Sequence, residues 1–376
     1  MQRLDASMIA RLLLPAGLFG YAVASNVGLP ARWHFLVPPT KANLSALFHG
    51  SLTARVETLY RKGLPHNQLA AHLVGAGRYL LFHEGRPGVI AGKEGYLFTD
   101  EEFRQGFDRQ AVIDRAVIGI EDVSHRLAMR GIRLIFVPLP AKTDIYSDEL
   151  QAGSSAATVA GLYGDLLDRL RQVDIATVDS RDALLTARAD SQVYLRTDTH
   201  WTPAGAAVVA KAVVQEALGG GGGGGGEEFE LVTAPARKVE GDLVRFVTGG
   251  AFADLIGLAD EDVTPFIAER RETAQAELDI FGASSSIPVT LVGTSYSANE
   301  VWSFAAFLSF WSGLDVANAS LIGQGPVVPM RDFIASLEQS DSLPQTVIWE
   351  FPIRYLTDPE LWNETIPQGN RENENG

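Results

Sequence analysis

The sequence predicts an α/β protein whose main part is a three-layer α/β/α domain around a parallel sheet. Two observations carry that expectation. Short, wholly apolar, β-rich runs alternate with stretches of helical period, and the residues suited to acid–base and nucleophilic chemistry fall just behind the apolar runs. Strands that are apolar on both faces need helices on both sides. Open sheets of this kind take their ligands beyond the carboxyl ends of the strands.

From the N-terminus, Arg3 and Arg11 precede an apolar run, Leu12 to Leu29, close to the roughly 20 residues that span a bilayer. Ala22-Val23-Ala24 within it has the small-x-small form of a cleavage site. Residues 1–35 are therefore expected to be a signal anchor or a removable signal peptide, with a buried N-terminal helix as the other reading. Either exported form puts the body beyond the inner membrane, tethered to it if the segment is kept. Residues 36–90 read as a linker with Pro38-Pro39 and then helical pieces, with Leu44, Leu47, Phe48, Leu52, Val56 and Leu59 at helical spacing. His34, His49, His66, His72 and His83 lie here without ligand spacing and read as surface or packing residues.

Gly85-Arg86-Pro87-Gly88 marks a turn, and Val89–Phe98 reads as a hairpin across Lys93-Glu94-Gly95, opening a main domain over 91–360. Ile113, Val117, Ile120, Val123 and Leu127 predict a helix between Phe107 and Arg130, stopped by Gly131. Leu134–Pro138 is the next strand, Val159–Val173 a helix with Leu162, Leu166 and Leu170 on one face, and Ile175–Val178 a strand. The alternation continues through strand Val193–Leu195, helix 203–218, strand Val289–Val292, helix 299–311, strand Val316–Ala319, helix 330–339 and strand Thr346–Trp349. The glycines of 219–226 read as a flexible linker, since they lack the lysine and Ser/Thr of a phosphate loop. Residues 227–286 read as an insertion beside the site, able to act as a lid, with a strand at Phe229–Val232, a Gly241-Asp242-Leu243 turn and a charged helix at Phe266–Leu278. The polar end, 361–376, is expected to be disordered.

A net charge of −15 over 376 residues argues against nucleic acid as partner, whose phosphates need clustered Lys and Arg. The same field repels an acidic polymer, so any such ligand would depend on local basic residues. There is no cysteine, which excludes disulfides, thiol catalysis and zinc–thiolate sites.

The chemistry centres on Arg196–Gly205, RTDTHWTPAG. In an extended segment Asp198 and His200 point the same way, so the carboxylate can fix the imidazole tautomer and stabilise its cation. Thr202 and Pro203 suit the cap and first position of the helix behind them. The partner nucleophile is Ser295 in Gly293-Thr294-Ser295-Tyr296-Ser297, which follows an apolar strand and precedes a helix, the recipe of a nucleophile elbow. Ser297 stands where that pattern has a second glycine. Backbone N–H groups of Ser295 and of the Gly323-Gln324-Gly325 loop are candidate oxyanion donors. Asn318 and Tyr296 are further candidates to touch oxyanion or substrate, and Glu350 and Arg354 are read as positioning glycan or pairing with each other. A metal hydrolase built on Asp198 and His200 is disfavoured, because no further histidine stands at a ligand spacing.

RTDTHWTPAG, GTSYS, GKEGYLF at 92–98, Pro140-Ala141-Lys142, GQGP at 323–326 and WEFPIRYL at 349–356 together resemble the alginate O-acetyltransferase family of the AlgJ and AlgX type, over roughly residues 65–357. The chain stops soon after Tyr355, as in the anchored form without a carbohydrate-binding module. The resemblance implies an SGNH-hydrolase-like domain with permuted motif order, and Ser295 as nucleophile, His200 as base and Asp198 as orienting acid. It further implies the periplasm as the compartment, a polysaccharide acceptor (alginate- or cellulose-like), no bound cofactor, and an acetyl donor relayed by an integral membrane acyltransferase of the MBOAT class among other polysaccharide-secretion proteins. An exported carbohydrate acetylesterase and a catalytically silent glycan-binding scaffold are the rival readings.

Overall fold

The computed structural model describes residues 6–27, 57, 67–152, 159, 161–219, 228–271, 288–340 and 342–362. The helical stretch expected at 44–61, apart from Glu57, lies outside the described residues, as do His34, His49, His66, the polyglycine run beyond Gly219 and the tail beyond 362. The chain divides into two units, Met1–Gly77 and Arg78–Gly376. In the first, helix α1 (Ala6–Val27) carries Pro15 inside it and exposes Leu18, Phe19, Tyr21, Val23 and Val27. Among the described residues no helix is long and apolar enough to cross a membrane.

In the second unit a hairpin, β1 (Val89–Ala91) with β2 (Leu97–Thr99), turns through Glu94 and Gly95, both at positive φ. The central sheet is parallel and has four strands: β3 (Arg133–Leu139), β8 (Val289–Val292), β9 (Val316–Asn318) and β10 (Thr346–Pro352), in the spatial order β3-β10-β8-β9. Alternation along each strand feeds two cores. Leu134, Phe136, Val292, Val347 and Trp349 face helices Arg109–Ala128, Leu162–Gln172 and Val327–Ser336. Ile135, Val137, Leu291 and Ile348 face helices Ser180–Ala187, Pro203–Ala217 and Phe304–Ser312. This is the expected three-layer α/β/α arrangement.

Four expected elements differ. Val193–Leu195 is buried but is not a sheet strand: Leu195 N–H bonds the His200 carbonyl and Thr202 N–H the Val193 carbonyl, so the segment satisfies its backbone on its own return rather than on a neighbouring strand. Ile175–Val178 gives β3 a single parallel bridge at Thr177, cut short between Asp174 at positive φ and Asp179, which caps the next helix. The helix expected at 299–311 is broken at Ser303, whose φ of 63° is left-handed, into a 3₁₀ turn at Glu300–Trp302 and the helix Phe304–Ser312, and a short helical turn at Ser295–Ala298 precedes them. Of the charged helix expected at Phe266–Leu278, Phe266–Arg270 is instead strand β7, antiparallel to β4 (Phe229–Thr233), and the part beyond Arg271 lies outside the described residues. The insertion also forms β5 (Arg237–Val239) paired with β6 (Glu261–Val263).

Candidate active site

The carboxyl ends of the sheet strands bring the chemistry together. After β8 the chain turns at Gly293, Thr294 accepts from Tyr296 N–H as a cap, and Ser295 opens the short helical turn. The parallel register opposes Trp349 to Val292, which sets Glu350 level with Gly293. A Cβ on Gly293 would lie 2.4 Å from Glu350 Oε2, so glycine is what lets the buried carboxylate reach under the serine turn. There Glu350 accepts from Thr294 N–H at 2.7 Å, from the Thr294 hydroxyl at 3.1 Å and from the Ser297 hydroxyl at 3.0 Å. Expected as glycan-positioning or paired with Arg354, Glu350 is instead the brace of the serine turn.

The acid and base sit in a bend, not in an extended strand. Asp198 Oδ1 accepts His200's own backbone N–H at 2.8 Å, an Asx-turn closure, and lies 2.6 Å from His200 Nδ1. The same-side placement therefore comes from that turn rather than from strand alternation. His200 Nε2 is 2.7 Å from Ser295 Oγ. Tyr296 and Trp302 hold the imidazole plane, with ring centroids at 4.7 and 5.3 Å. Burial works to raise the Asp198 carboxyl, but bonds from the His200 ring, its charge, and the N–H groups of His200 and Asp242 outweigh it and hold the group below the usual carboxylate range.

Lys142, from the Pro-Ala-Lys run after β3, is buried and donates its three N–H bonds to the carbonyls of Leu97, Arg196 and Asp198, at 2.7, 2.8 and 2.9 Å. It ties the hairpin to the Asp-His loop. Burial pulls its ammonium down to about 8, against the pull of Glu102, Asp198 and other carboxylates. Glu102 in turn accepts from the N–H groups of Lys142 and Thr143. The insertion contributes too: Glu261 accepts from Thr197 N–H, and Asp242 accepts from Thr199 N–H at 2.9 Å and its hydroxyl at 2.7 Å.

The remaining candidates fall out differently. The Asn318 amide donates to the Ser297 carbonyl at 2.8 Å, so it helps to fix the serine turn. Tyr296 is buried, its hydroxyl donating to the Thr199 carbonyl and accepting from Arg354 Nη1 at 2.7 Å, so it supports the histidine loop rather than offering a side chain to substrate. Arg354 also binds Glu101 at 3.0 Å. Gly323 and Gln324 are exposed on a loop with Gly323 and Gly325 at positive φ, tethered by Leu321 N–H to the Gly293 carbonyl. Ser295, His200 and Asp198 stand in motifs that announce them; Asp242 does not, and its nearest cue is the glycine before it.

Glu350 provides a stability test. Burial raises its carboxyl from 4.5 to about 7, although bonds from Thr294 and Ser297 favour the anion. Between those values the folded state holds a proton that the unfolded chain has released, so stability falls as pH rises through the window. Glu350→Gln keeps an oxygen for Thr294 and Ser297 but cannot ionise. In paired urea denaturation curves it should outlast the wild type above pH 7 and lose that advantage below about pH 5; the reverse ordering would contradict a buried charge at this position.

A serine turn, a histidine loop and a two-faced parallel sheet with this geometry are those of an SGNH-hydrolase-like protein. The chain belongs to the family described as SGNH hydrolase-like domain, acetyltransferase AlgX, which matches residues 89–353. It is similar to a probable alginate O-acetylase AlgJ of Pseudomonas aeruginosa, 33% identical over 357 residues that cover 90% of this chain and 86% of that one. The alginate biosynthesis protein AlgX of the same organism is 28% identical over 294 residues, 74% of this chain and 59% of that one. The solved O-acetyltransferase domain of Pseudomonas putida AlgJ superposes with a TM-score of 0.60 at 33% identity, covering 72% of this chain and 92% of the domain.

Proposed function

We propose that this protein is an O-acetyltransferase that acetylates hydroxyls of a bacterial exopolysaccharide of the alginate kind through a Ser295–His200–Asp198 acyl-enzyme. The observation that carries the proposal is the unbroken line of contacts from Asp198 Oδ1 through both ring nitrogens of His200 to Ser295 Oγ; the names of the relatives supply the substrate class. Ser295 gives its proton to His200 Nε2 and attacks the donor's acetyl carbonyl, and the leaving group departs with that proton. A sugar hydroxyl then gives its proton to the same nitrogen and attacks the acetyl-serine, and His200 returns that proton to Oγ as Ser295 leaves. Asp198 keeps Nδ1–H in place and stabilises the imidazolium of both steps. The N–H of Ser295 and the Gly323-Gln324-Gly325 loop serve as oxyanion donors, each worth roughly 10²–10³ in rate. The donor is relayed by a membrane acyltransferase of the MBOAT class to a periplasmic body held at the inner membrane.

A cavity of about 190 Å³ beside Thr199 and Asp242, lined also by Arg245, Arg354, Asp100 and Glu101, is the entry we assign to the acceptor. Arg245 suits a uronate carboxylate despite the net charge of −15. The test is an activated acetyl ester with mannuronate or cellulose oligosaccharides as acceptors, read by product mass. Acetylated uronate is the expected product. Acetate alone would make the protein an esterase, and no turnover would leave a glycan-binding scaffold.

A further inference from the structure

We infer that Asp242 is a second carboxylate serving the histidine, a positioning residue supplied by the 227–286 insertion; the inference rests on the acyl-enzyme reading above. Three successive residues clamp the Asp-His loop. At Gly241 a Cβ would fall 2.2 Å from Thr197 Oγ1 and 2.3 Å from the Thr197 carbonyl, so only a glycine lets the two backbones meet. Asp242 N–H donates to Asp198 Oδ2 at 2.9 Å, and Leu243 N–H to the Thr197 carbonyl at 3.2 Å. The Asp242 side chain accepts both the N–H and the hydroxyl of Thr199.

This clamp does two things to the base. Asp198 has Oδ1 committed to His200, so the Asp242 N–H on Oδ2 sets the rotation of the carboxyl that faces the ring. The Asp242 carboxylate also stands 3.9 Å from His200 Nδ1, with its side chain 33% exposed. When Nε2 takes the hydroxyl proton, the cation forms beside two carboxylates, while Nδ1–H stays on Asp198 and no proton passes to Asp242. The other charged or titratable groups around the ring are Ser295 at Nε2, Tyr296 against its face with Arg354 behind, Lys142 on the Asp198 carbonyl, and Glu350 under Thr294 and Ser297. None of these places negative charge at Nδ1. The three groups Asp198, His200 and Asp242 lie within 4.8 Å of one another, a spacing that could also suit a metal ion. Both ring nitrogens already face protein partners, which favours the electrostatic role.

The experiment compares full-length wild type, Asp242→Asn, Asp242→Ala and Ser295→Ala in turnover of an activated acetyl ester across pH, with urea denaturation alongside. Asn preserves an acceptor for Thr199 and the backbone bond to Asp198 while removing the charge. Its kcat should fall roughly tenfold with KM unchanged, against the roughly 10⁴-fold expected when the histidine-bound acid itself is made an amide. The acid limb of its rate profile should move down by about half to one pH unit, since a neighbouring anion no longer favours the imidazolium. Glu350 titrates alike in all variants, so the displacement is read as a difference. Asp242→Ala should show the same displacement and also a lower urea midpoint. A wild-type rate and profile in Asp242→Asn overturns the inference, as does a slower enzyme whose acid limb has not moved, which would make Asp242 a brace alone. Full activity in Ser295→Ala would instead sink the acyl-enzyme reading on which it rests.

Discussion

Ser295→Ala and His200→Ala should each lower kcat by about 10⁴- to 10⁶-fold, and the double variant should fall little further than either single one. In the proposed mechanism the two side chains act as one device. Nε2 at 2.7 Å from Oγ can take the serine proton only if the serine is there to give it, and Oγ is a weak nucleophile without the base. Substrate binding and the oxyanion donors survive both changes, so a residual rate above the uncatalysed reaction remains. Steady-state kinetics on the three variants checks this. Losses that multiply would mean that the histidine and the serine serve separate steps.

Lys142→Met should cost roughly 3 kcal/mol of stability and at least tenfold in kcat. A protonated lysine has three donors, and here all three are used on buried carbonyls of two loops. Methionine fills the space but leaves Leu97, Arg196 and Asp198 with acceptors turned into a dry interior. The cost of desolvating the ammonium, visible in its lowering to about 8, offsets only part of that loss. Because the Arg196 and Asp198 carbonyls belong to the loop that carries the Asp198 carboxylate, the same change frees the loop that aims His200. Urea denaturation and kcat on one preparation measure both effects. An unchanged midpoint would contradict the lysine as the tie between hairpin and catalytic loop.

The parts of this molecule that are legible in the sequence are those specified locally. Val289–Val292 and the serine turn follow from an apolar run ending in Gly-Thr-Ser, and Thr202-Pro203 caps its helix through Gly205 N–H. Asp198 and His200 are recognisable because their spacing is short, although a turn joins them where the pattern suggests an extended strand. Where fold and pattern part, a tertiary contact or an unusual dihedral decides. Nothing local announces the left-handed Ser303 that breaks the expected helix, nor the pairing with β4 that makes Phe266–Arg270 a strand. The roles of Glu350, Lys142 and Asp242 are opaque for one reason: each acts on residues more than 40 positions away, and the sheet register or the insertion brings them in. Asn318 and Tyr296 look like substrate contacts from their places in the motifs, yet their polar atoms are spent on the Ser297 and Thr199 carbonyls.

The central claim is that acetyl passes through Ser295. The most direct measurement is intact-mass and peptide mass spectrometry of the protein quenched during turnover of an activated acetyl ester, before and after addition of a mannuronate oligosaccharide. A single acetyl adduct on the Ser295 peptide, absent from Ser295→Ala and discharged onto the sugar, is the predicted result. Acetylated sugar formed with no adduct on that peptide, or formed equally well by Ser295→Ala, would contradict it.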